Sequence, residues 1–372
     1  MKMNKRKINS LYIHIPFCNS ICPYCDFTKF LKKTNFEDQY INELIEDIKK
    51  TQISFFKFNT IYIGGGTPSC LSNENLEKIL IECQKLAKKG TEFTIEANPE
   101  DLDDEKLNLF KKYGINRISI GIQSFNTDTL KMLGRKSIDF KSLIKKVKKY
   151  IKNINIDLIY GLPNENIEVL KENLKKFVSL NCSHISIYSL TVNPGTIFFN
   201  KHIKEIDEDQ NRLLYDYICS YLKDHGYDNY EVSNFAKNGK YSKHNINYWK
   251  CGNYVGLGAG ASGYIDNKRY TNTSNLNKYL EHKDRLSIEE ELTKDQQIEE
   301  YLMLNLRTKW GLNLEEFNAR FGLDLLEVAK DYIQLLINKK LAIINKGSLC
   351  LTHDGIAIMD SILLKIFNLI NL

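Results

Sequence analysis

The sequence of 372 residues lacks any apolar run of the roughly 18 residues that a helix needs to cross a bilayer. Its basic N-terminal residues precede only a short apolar stretch, which contains His14 and Pro16 and leads to no small-residue cleavage site. Disorder is excluded as the main state, because hydrophobic residues make up 42% of the chain and aromatic residues 11%. We therefore expect a globular, cytoplasmic protein without a transmembrane segment.

Arginine-rich basic stripes are missing too. The chain has 52 basic and 46 acidic residues, which gives a net charge of +6. Most of the basic residues are lysines spread over predicted helix surfaces, such as Lys145, Lys146, Lys148 and Lys149. A nucleic-acid-binding face concentrates its arginines and lysines on one side of the molecule instead. We predict no nucleic-acid partner.

Cysteine spacing of the disulfide-rich type is also absent. The count of nine is odd, and a chain of this length does not need disulfide bonds to hold its core. Six cysteines stand singly among apolar neighbours, which is typical of buried thiols. They are Cys70, Cys83, Cys182, Cys219, Cys251 and Cys350. The other three form one motif, which carries the chemistry discussed below.

Short apolar segments alternate with stretches of helical period through the first 235 residues. The predicted strands are residues 11–16, 60–64, 92–98, 117–123, 154–161 and 184–190, with helical patterns between them at 75–89, 104–113 and 138–152. Six strand–helix units with connections of this length predict a parallel sheet. Two architectures fit that pattern: an open doubly wound sheet and the arc of a barrel.

Polar or glycine residues stand at the carboxyl end of every predicted strand, and all six prolines lie at or just beyond these ends. In strand order these residues are Cys18, the glycines at 64–66, Glu96, Gln123, Asp157 and Ser189. A barrel draws site residues from all of its strands, whereas an open sheet concentrates them at one switch point. The pattern therefore favours an α/β fold, a partial (β/α)6 TIM-like barrel.

The strand–helix alternation stops near residue 235, which suggests three regions. We expect the barrel over residues 8–235, and an irregular connecting segment over 236–290 with a glycine-rich loop at 258–263. Residues 291–372 return to helical period, with a β-like stretch and a glycine turn at 341–351. Helices followed by a small hairpin predict a mainly helical, winged-helix-like appendage.

Three cysteines follow the first strand as Cys18-x-x-x-Cys22-x-x-Cys25. Thiols at this spacing indicate a shared metal or cluster, because three free thiols side by side would be prone to oxidation. Structural zinc usually has four closed ligands in paired Cys-x-x-Cys units, and the sequence has no second unit. A [4Fe–4S] cluster held by three thiolates leaves one iron with an open coordination position.

This motif, together with the glycine run at 64–66 followed by Thr67 and Pro68, resembles the radical S-adenosylmethionine (SAM) superfamily. From about residue 10 to 360 the motifs LYIHIPFCNSICPYCDF, IYIGGGTPS, TIEANPE, GIQSFN and DLIYGLP resemble the oxygen-independent coproporphyrinogen III oxidase-like family. The oxidase has a further cysteine two positions after the third, where this chain has Phe27. YEVSNFA at 230–236 and HNINYW at 244–249 are similar to the heme-chaperone branch of that family.

The resemblance implies that the open iron binds the methionine end of SAM, and it assigns roles to nine further residues. Tyr12 and Tyr24 would pack around the cluster and adenosine, Gly65, Gly66 and Thr67 would contact the methionine end, Glu96 its amino group, Gln123 and Asp157 the ribose, and Arg135 the carboxylate. The planar guanidinium of Arg135 suits a carboxylate.

A heme chaperone would also need a heme ligand. His244, beside Tyr248 and Trp249 in an expected loop, is the preferred candidate, and a hydrogen-bonded structural histidine is the alternative. His14 and Cys251 are weaker candidates. The implied function is a heme chaperone that delivers heme to acceptor hemoproteins, such as respiratory and membrane-associated ones. A coproporphyrinogen III dehydrogenase and another radical SAM enzyme remain open alternatives.

Overall fold

The protein is described by a computed structural model covering residues 8–50, 56–163, 165–282 and 286–370. Its strands are β1 (Ser10–Ile15), β2 (Phe17–Cys18), β3 (Phe30–Leu31), β4 (Phe58–Gly65), β5 (Ala87–Ala97), β6 (Arg117–Gln123), β7 (Asn153–Tyr160), β8 (His184–Ser189), β9 (Asp228–Glu231), β10 (Asn234–Ala236), β11 (Tyr254–Leu257), β12 (Ser262–Ile265), β13 (Lys268–Asn272), β14 (Leu286–Glu291), β15 (Leu312–Asn313), β16 (Ala342–Asn345) and β17 (Ser348–Leu351).

The helices that cover and connect these strands follow the same chain order. They are α1 (Thr34–Lys50), α2 (Asn73–Leu86), α3 (Asp104–Lys112), α4 (Thr127–Met132), α5 (Phe140–Val147), α6 (Ile167–Ser179), α7 (Ile197–Asn200), α8 (Glu208–Asp224), α9 (Lys243–Trp249), α10 (Leu276–Leu280), α11 (Lys294–Leu306), α12 (Leu314–Phe321), α13 (Leu325–Val328), α14 (Lys330–Asn338), α15 (His353–Ala357) and α16 (Met359–Leu369). In the described residues, no helix combines the length and the apolar character needed to span a membrane.

The six predicted strands are all present and lie side by side in parallel, in the order β1-β4-β5-β6-β7-β8. This confirms the α/β barrel-like arc. Three of the helices between these strands begin at a short polar N-cap residue. Asp103 caps α3, Asn126 caps α4 and Asn166 caps α6, and each side chain accepts a hydrogen bond from a backbone N–H of the first turn.

Each central strand alternates between an aliphatic and a polar face, as the two-residue period of a β-strand allows. In β6, Ile118, Ile120 and Ile122 belong to the hydrophobic core shared with the helices. Arg117 and Ser119, on the opposite face, line a cavity inside the arc. The interior of this barrel is therefore polar, unlike a barrel filled with layers of aliphatic side chains.

The expectation of an irregular segment over residues 236–290 is wrong. β11 pairs in parallel with β1, and β12, β13 and β14 extend that edge as an antiparallel meander. At the other edge β10 pairs antiparallel with β8, and β9 pairs antiparallel with β10. These strands have no apolar run because they are short and lie toward the edges of the sheet, where Lys268 to Asn272 of β13 are only half-buried.

The C-terminal region is helical with a small antiparallel sheet in the order β15-β17-β16. The β16–β17 hairpin turns through Lys346 and Gly347, both with positive φ, as the predicted glycine turn requires. A second hydrophobic core lies here, around fully buried Leu302 and Phe317. The predicted helical appendage is thus present.

Candidate cluster and cofactor site

One cavity of about 500 Å³ opens at the carboxyl ends of the parallel strands. Eleven of the thirteen residues predicted to bind metal or cofactor line it: Cys18, Cys22, Cys25, Tyr24, Gly65, Gly66, Thr67, Glu96, Gln123, Arg135 and Asp157. Tyr12 and His244 are not among its lining residues. Residues from six loops and strands that are far apart in sequence therefore meet at one mouth.

The cysteine-bearing loop after β1 is fixed from several sides. The Nζ atom of Lys29 donates hydrogen bonds to the carbonyl oxygens of Cys25 (2.6 Å) and Phe27 (3.1 Å). The backbone N–H of Phe198, in α7, donates to the carbonyl oxygen of Pro23 at 3.0 Å. The loop that carries the three thiols is therefore hydrogen-bonded to Lys29 and to α7.

Gly66 brings the end of β4 directly against this loop. A Cβ atom at this position would lie 2.9 Å from the sulfur of Cys18 and 2.8 Å from the carbonyl oxygen of Phe17. The hydroxyl of the next residue, Thr67, donates to the same sulfur at 3.4 Å. Only glycine allows this approach, so the position of the first cysteine explains the glycine at position 66.

The three thiols fit an iron–sulfur cluster better than a single ion. All three cysteines line the cavity. The pKa of Cys18 is raised to about 11, mainly by burial and in the same direction by Cys25 and Cys22. Among the described residues no three His, Cys, Asp or Glu side chains converge as ligands of one metal ion. A cluster spreads its cysteine ligands around a larger body than one zinc ion does.

Arg135 joins three site loops at the mouth. Its Nε and Nη2 atoms donate to the hydroxyl of Tyr24 at 3.3 and 3.0 Å, and Nη1 donates to Oδ1 of Asn98. Of its five N–H donors, two remain free of these bonds. Gly121 lies beside both site residues: a Cβ there would be 2.9 Å from Nε2 of Gln123 and 3.7 Å from Nη2 of Arg135. A guanidinium held this way is preorganised for an anion.

Glu96 is a carboxylate held inside the cavity. It accepts hydrogen bonds from the hydroxyl of Tyr62 (2.6 Å) and the backbone N–H of Gly65 (3.1 Å). Burial raises the pKa of Glu96 to about 7, although the Tyr62 hydrogen bond favours the ionised form. A carboxylate that is costly to ionise alone gains from a bound cation such as an ammonium group.

Gln123 and Asp157 lie on adjacent strands. Gln123 has a φ of 68°, a left-handed conformation that is uncommon outside glycine and often marks functional positions. Asp157 accepts hydrogen bonds from Asn155 (2.8 Å) and Ser119 (3.4 Å), and burial raises its pKa. Both side chains offer oxygen atoms to a hydroxylated ligand.

The structure places the two remaining candidates elsewhere. The Tyr12 hydroxyl is hydrogen-bonded to Nδ1 of His14 at 2.9 Å, below the mouth. His244 lies in the first turn of α9, not in the expected loop, and is 1% exposed. Its Nδ1 pairs with the Thr60 hydroxyl at 2.8 Å and its Nε2 with the Tyr248 hydroxyl at 2.7 Å.

Burial lowers the pKa of His244 to about 3, so the imidazole is neutral with both ring nitrogens engaged. This arrangement matches the alternative of a hydrogen-bonded structural histidine, since both ring nitrogens already have partners. His14 is similarly engaged, since its Nε2 is hydrogen-bonded to the carbonyl oxygen of Thr28 at 2.9 Å. Cys251 packs against the C-terminal core.

Sequence reasoning missed several polar residues that line the cavity. They are Tyr62, Arg117, Ser119, Asn155 and Ser186. Their signal was the alternation within each strand, for example R-I-S-I in β6 and N-I-D-L in β7. A parallel strand buried on both faces is expected to be apolar throughout, so regular polar positions mark a polar interior.

Comparisons with known proteins agree with this geometry. Residues 12–177 match the model of the radical SAM superfamily, and residues 292–358 match that of the HemN C-terminal domain. The heme chaperone HemW of Lactococcus lactis is 40% identical over 97% of each chain. The chain belongs to the HemW family of radical SAM proteins. The HemW of Bacillus subtilis is 37% identical, over 94% of this chain and 96% of its own.

The overall fold of this HemW-family protein is shared with a solved structure. The coproporphyrinogen III oxidase HemN of Escherichia coli, a radical SAM enzyme, superposes with a TM-score of 0.83. The match covers 98% of this chain and 91% of HemN at 21% identity, so it shows a common fold and no more. The superfamily implies SAM and a [4Fe–4S] cluster as cofactors, and the thiol set and cavity suit them.

Proposed function

We propose that this chain is a heme chaperone: it holds a SAM-ligated [4Fe–4S] cluster, binds heme and delivers it to acceptor hemoproteins, respiratory ones among them. The observation that carries the proposal is the 40% identity to a named heme chaperone over 97% of both chains. The likeness covers the cluster loop, the polar barrel and the C-terminal domain together, so it is not restricted to the superfamily core.

Cys18, Cys22 and Cys25 would hold the cluster, which supplies an iron with an open position and a source of one electron. The chain's own residues would then orient SAM. Glu96 would pair with its ammonium group and the free donors of Arg135 with its carboxylate. Gly65, Gly66 and Thr67 would border the methionine, with Tyr24 beside the cluster. Gln123 and Asp157 would accept hydrogen bonds from the ribose hydroxyls.

Apolar side chains at the mouth support heme as the cargo. Phe27, which stands where the oxidase has a further cysteine, lines the cavity and is 66% exposed. Tyr188, Ile197 and Phe199 are also 40–46% exposed. The last two lie on α7, which is hydrogen-bonded to the cluster loop. Exposed aromatic surface of this kind suits a flat apolar macrocycle.

The test is anaerobic iron–sulfur reconstitution followed by heme titration, monitored by absorbance. We expect stoichiometric heme binding and no conversion of coproporphyrinogen III when SAM and a reductant are supplied. Decarboxylation of coproporphyrinogen III would overturn the proposal in favour of the dehydrogenase. His244→Ala, titrated alongside, should retain the heme spectrum, because both ring nitrogens of His244 are engaged inside the protein.

A further inference from the structure

A chain of buried hydrogen bonds runs from Asp157 into the barrel interior, away from the carboxyl ends of the strands. Asn155, two residues before Asp157 in β7, lies beside His184, the first residue of β8. His184 is fully buried, and its Nδ1 atom pairs with Oδ1 of Asn155 at 2.6 Å. Its Nε2 atom pairs with the hydroxyl of Tyr230, in β9, at 2.7 Å. Neither His184 nor Tyr230 is among the residues that line the cavity.

The direction of these hydrogen bonds is fixed at both ends of the chain. A carboxylate only accepts, so the Asn155 amide presents its nitrogen to Asp157 at 2.8 Å and its oxygen to His184. At the other end, the backbone N–H of Ser242 donates to the Tyr230 oxygen at 3.2 Å. The Tyr230 hydroxyl therefore donates to Nε2 of His184.

His184 transmits this direction because its ring is neutral. Burial lowers the pKa of His184 well below its usual value, and the nearby guanidinium of Arg117 lowers it further. A neutral imidazole has one donor and one acceptor nitrogen. Since Nε2 accepts from Tyr230, the ring proton lies on Nδ1 and is donated to Asn155.

The orientation of the Asn155 amide matters for what Asp157 can bind. Burial raises the pKa of Asp157 and so favours its protonated form, and the hydrogen bond from Asn155 acts in the opposite direction. An ionised carboxylate can accept about four hydrogen bonds, and Asn155 and Ser119 supply two of them. Acceptor positions therefore remain for the hydroxyl groups of a ligand.

We propose that His184 is a positioning residue for Asp157: by donating to Asn155 it keeps the amide nitrogen, and not the amide oxygen, against the carboxylate that receives the ribose hydroxyls of SAM. Without this donor the Asn155 amide is free to turn over and place its oxygen against the carboxylate, where the two acceptors repel each other. The inference rests on the proposed function and adds to it a specificity-determining residue behind the wall of the cavity.

The experiment compares SAM with an analogue of SAM whose ribose lacks both hydroxyls. Affinities come from the change in electron paramagnetic resonance g values when the reconstituted, reduced protein is titrated with each compound. We expect the wild type to bind SAM about ten- to hundredfold more tightly than the analogue, as hydrogen bonds to a charged group allow. His184→Leu should reduce this preference by at least about fivefold. His225→Leu, at an exposed histidine, is the control that should keep it.

Two polar variants separate the two bonds of the ring. In His184→Asn the amide nitrogen takes the place of Nδ1 and still donates to Asn155, so the preference for SAM should stay within about twofold of the wild type. In His184→Gln the amide takes the place of Nε2 and bonds to Tyr230, so the preference should fall as in His184→Leu. These two variants also serve if His184→Leu does not fold.

Thermal melts of the same proteins distinguish positioning from packing. Each polar variant keeps one of the two hydrogen bonds of His184, so both should lower Tm by similar amounts while only His184→Gln loses the preference. The inference is overturned if the preference is unchanged in His184→Leu, if the two polar variants have the same preference, or if the preference simply follows Tm.

The wild type tells the failure of this inference from the failure of the proposed function. If it binds SAM and the analogue equally, the inference fails and the SAM-ligated cluster stands. If neither compound changes the signal, both fail.

Discussion

Replacing Glu96 with glutamine should remove part of the pH dependence of the protein's stability. In the ligand-free protein, burial raises the pKa of Glu96 from 4.5 to about 7. A carboxyl group whose pKa is higher in the folded state stabilises the fold while it is protonated. This contribution is complete below about pH 4.5 and is lost as the pH rises through about 7.

The size of the effect follows from the shift. A difference of 7 − 4.5 = 2.5 pKa units corresponds to about 3.4 kcal/mol at about 1.36 kcal/mol per unit. Because Glu96 lines a cavity that solvent enters, we discount this figure to about 1–2 kcal/mol. Glutamine has one acceptor oxygen, so it keeps only one of the hydrogen bonds from Tyr62 and Gly65; this loss shifts stability at every pH and does not alter the slope.

Urea unfolding of the ligand-free protein at pH 5, 6, 7 and 8 is the assay. Between pH 5 and pH 8 the wild type should lose about 1–2 kcal/mol more unfolding free energy than Glu96→Gln. Tyr62→Phe is the companion variant: it removes the hydrogen bond that favours the ionised carboxylate, so the loss should extend to higher pH. Parallel stability curves for the wild type and Glu96→Gln would refute the reasoning.

Three further predictions concern the cluster loop and the C-terminal domain. Serine at any one of the three loop cysteines should reduce iron and sulfide after reconstitution to background, whereas Cys70→Ala, a buried thiol bonded to a carbonyl, should keep both. Gly66→Ala should lower the free energy of unfolding by about 1–3 kcal/mol and reduce the iron content, because the added Cβ would lie 2.9 Å from the sulfur of Cys18. Full iron loading of this variant would contradict the prediction. Arg307→Ala should lower the free energy of unfolding in urea by about 3–5 kcal/mol, because it leaves the fully buried Glu231 without its ion-pair partner. Lys268→Ala, at an exposed ion pair, should lower it by less than about 1 kcal/mol. Equal losses in the two variants would contradict the burial argument.

The parallel strands could be predicted from the sequence because each is an apolar run between helical patterns and ends in glycine or polar residues. That same position at the carboxyl end explains why eleven candidate residues share one cavity. The outer strands could not be found this way, since short half-buried strands such as β13 leave no apolar run.

The hydrogen-bond and ion-pair partners of buried side chains were harder to predict than the strands that carry them. The sequence around His244 looked like an exposed loop, but Ser242 caps a helix there and Thr60, 184 residues earlier, binds its ring. The pairing of Arg307 with the buried carboxylate of Glu231 is likewise a property of the folded protein. Whether a buried charge is paired depends on contacts between strands, which local sequence patterns do not encode.

The central claim is that three thiols at the barrel mouth hold a [4Fe–4S] cluster with one iron open to SAM. Electron paramagnetic resonance of the reconstituted, reduced protein, recorded with and without SAM, tests it most directly. We predict a [4Fe–4S]⁺ signal whose g values change when SAM is added. Zinc in place of iron, no acid-labile sulfide, or a signal indifferent to SAM would contradict the account.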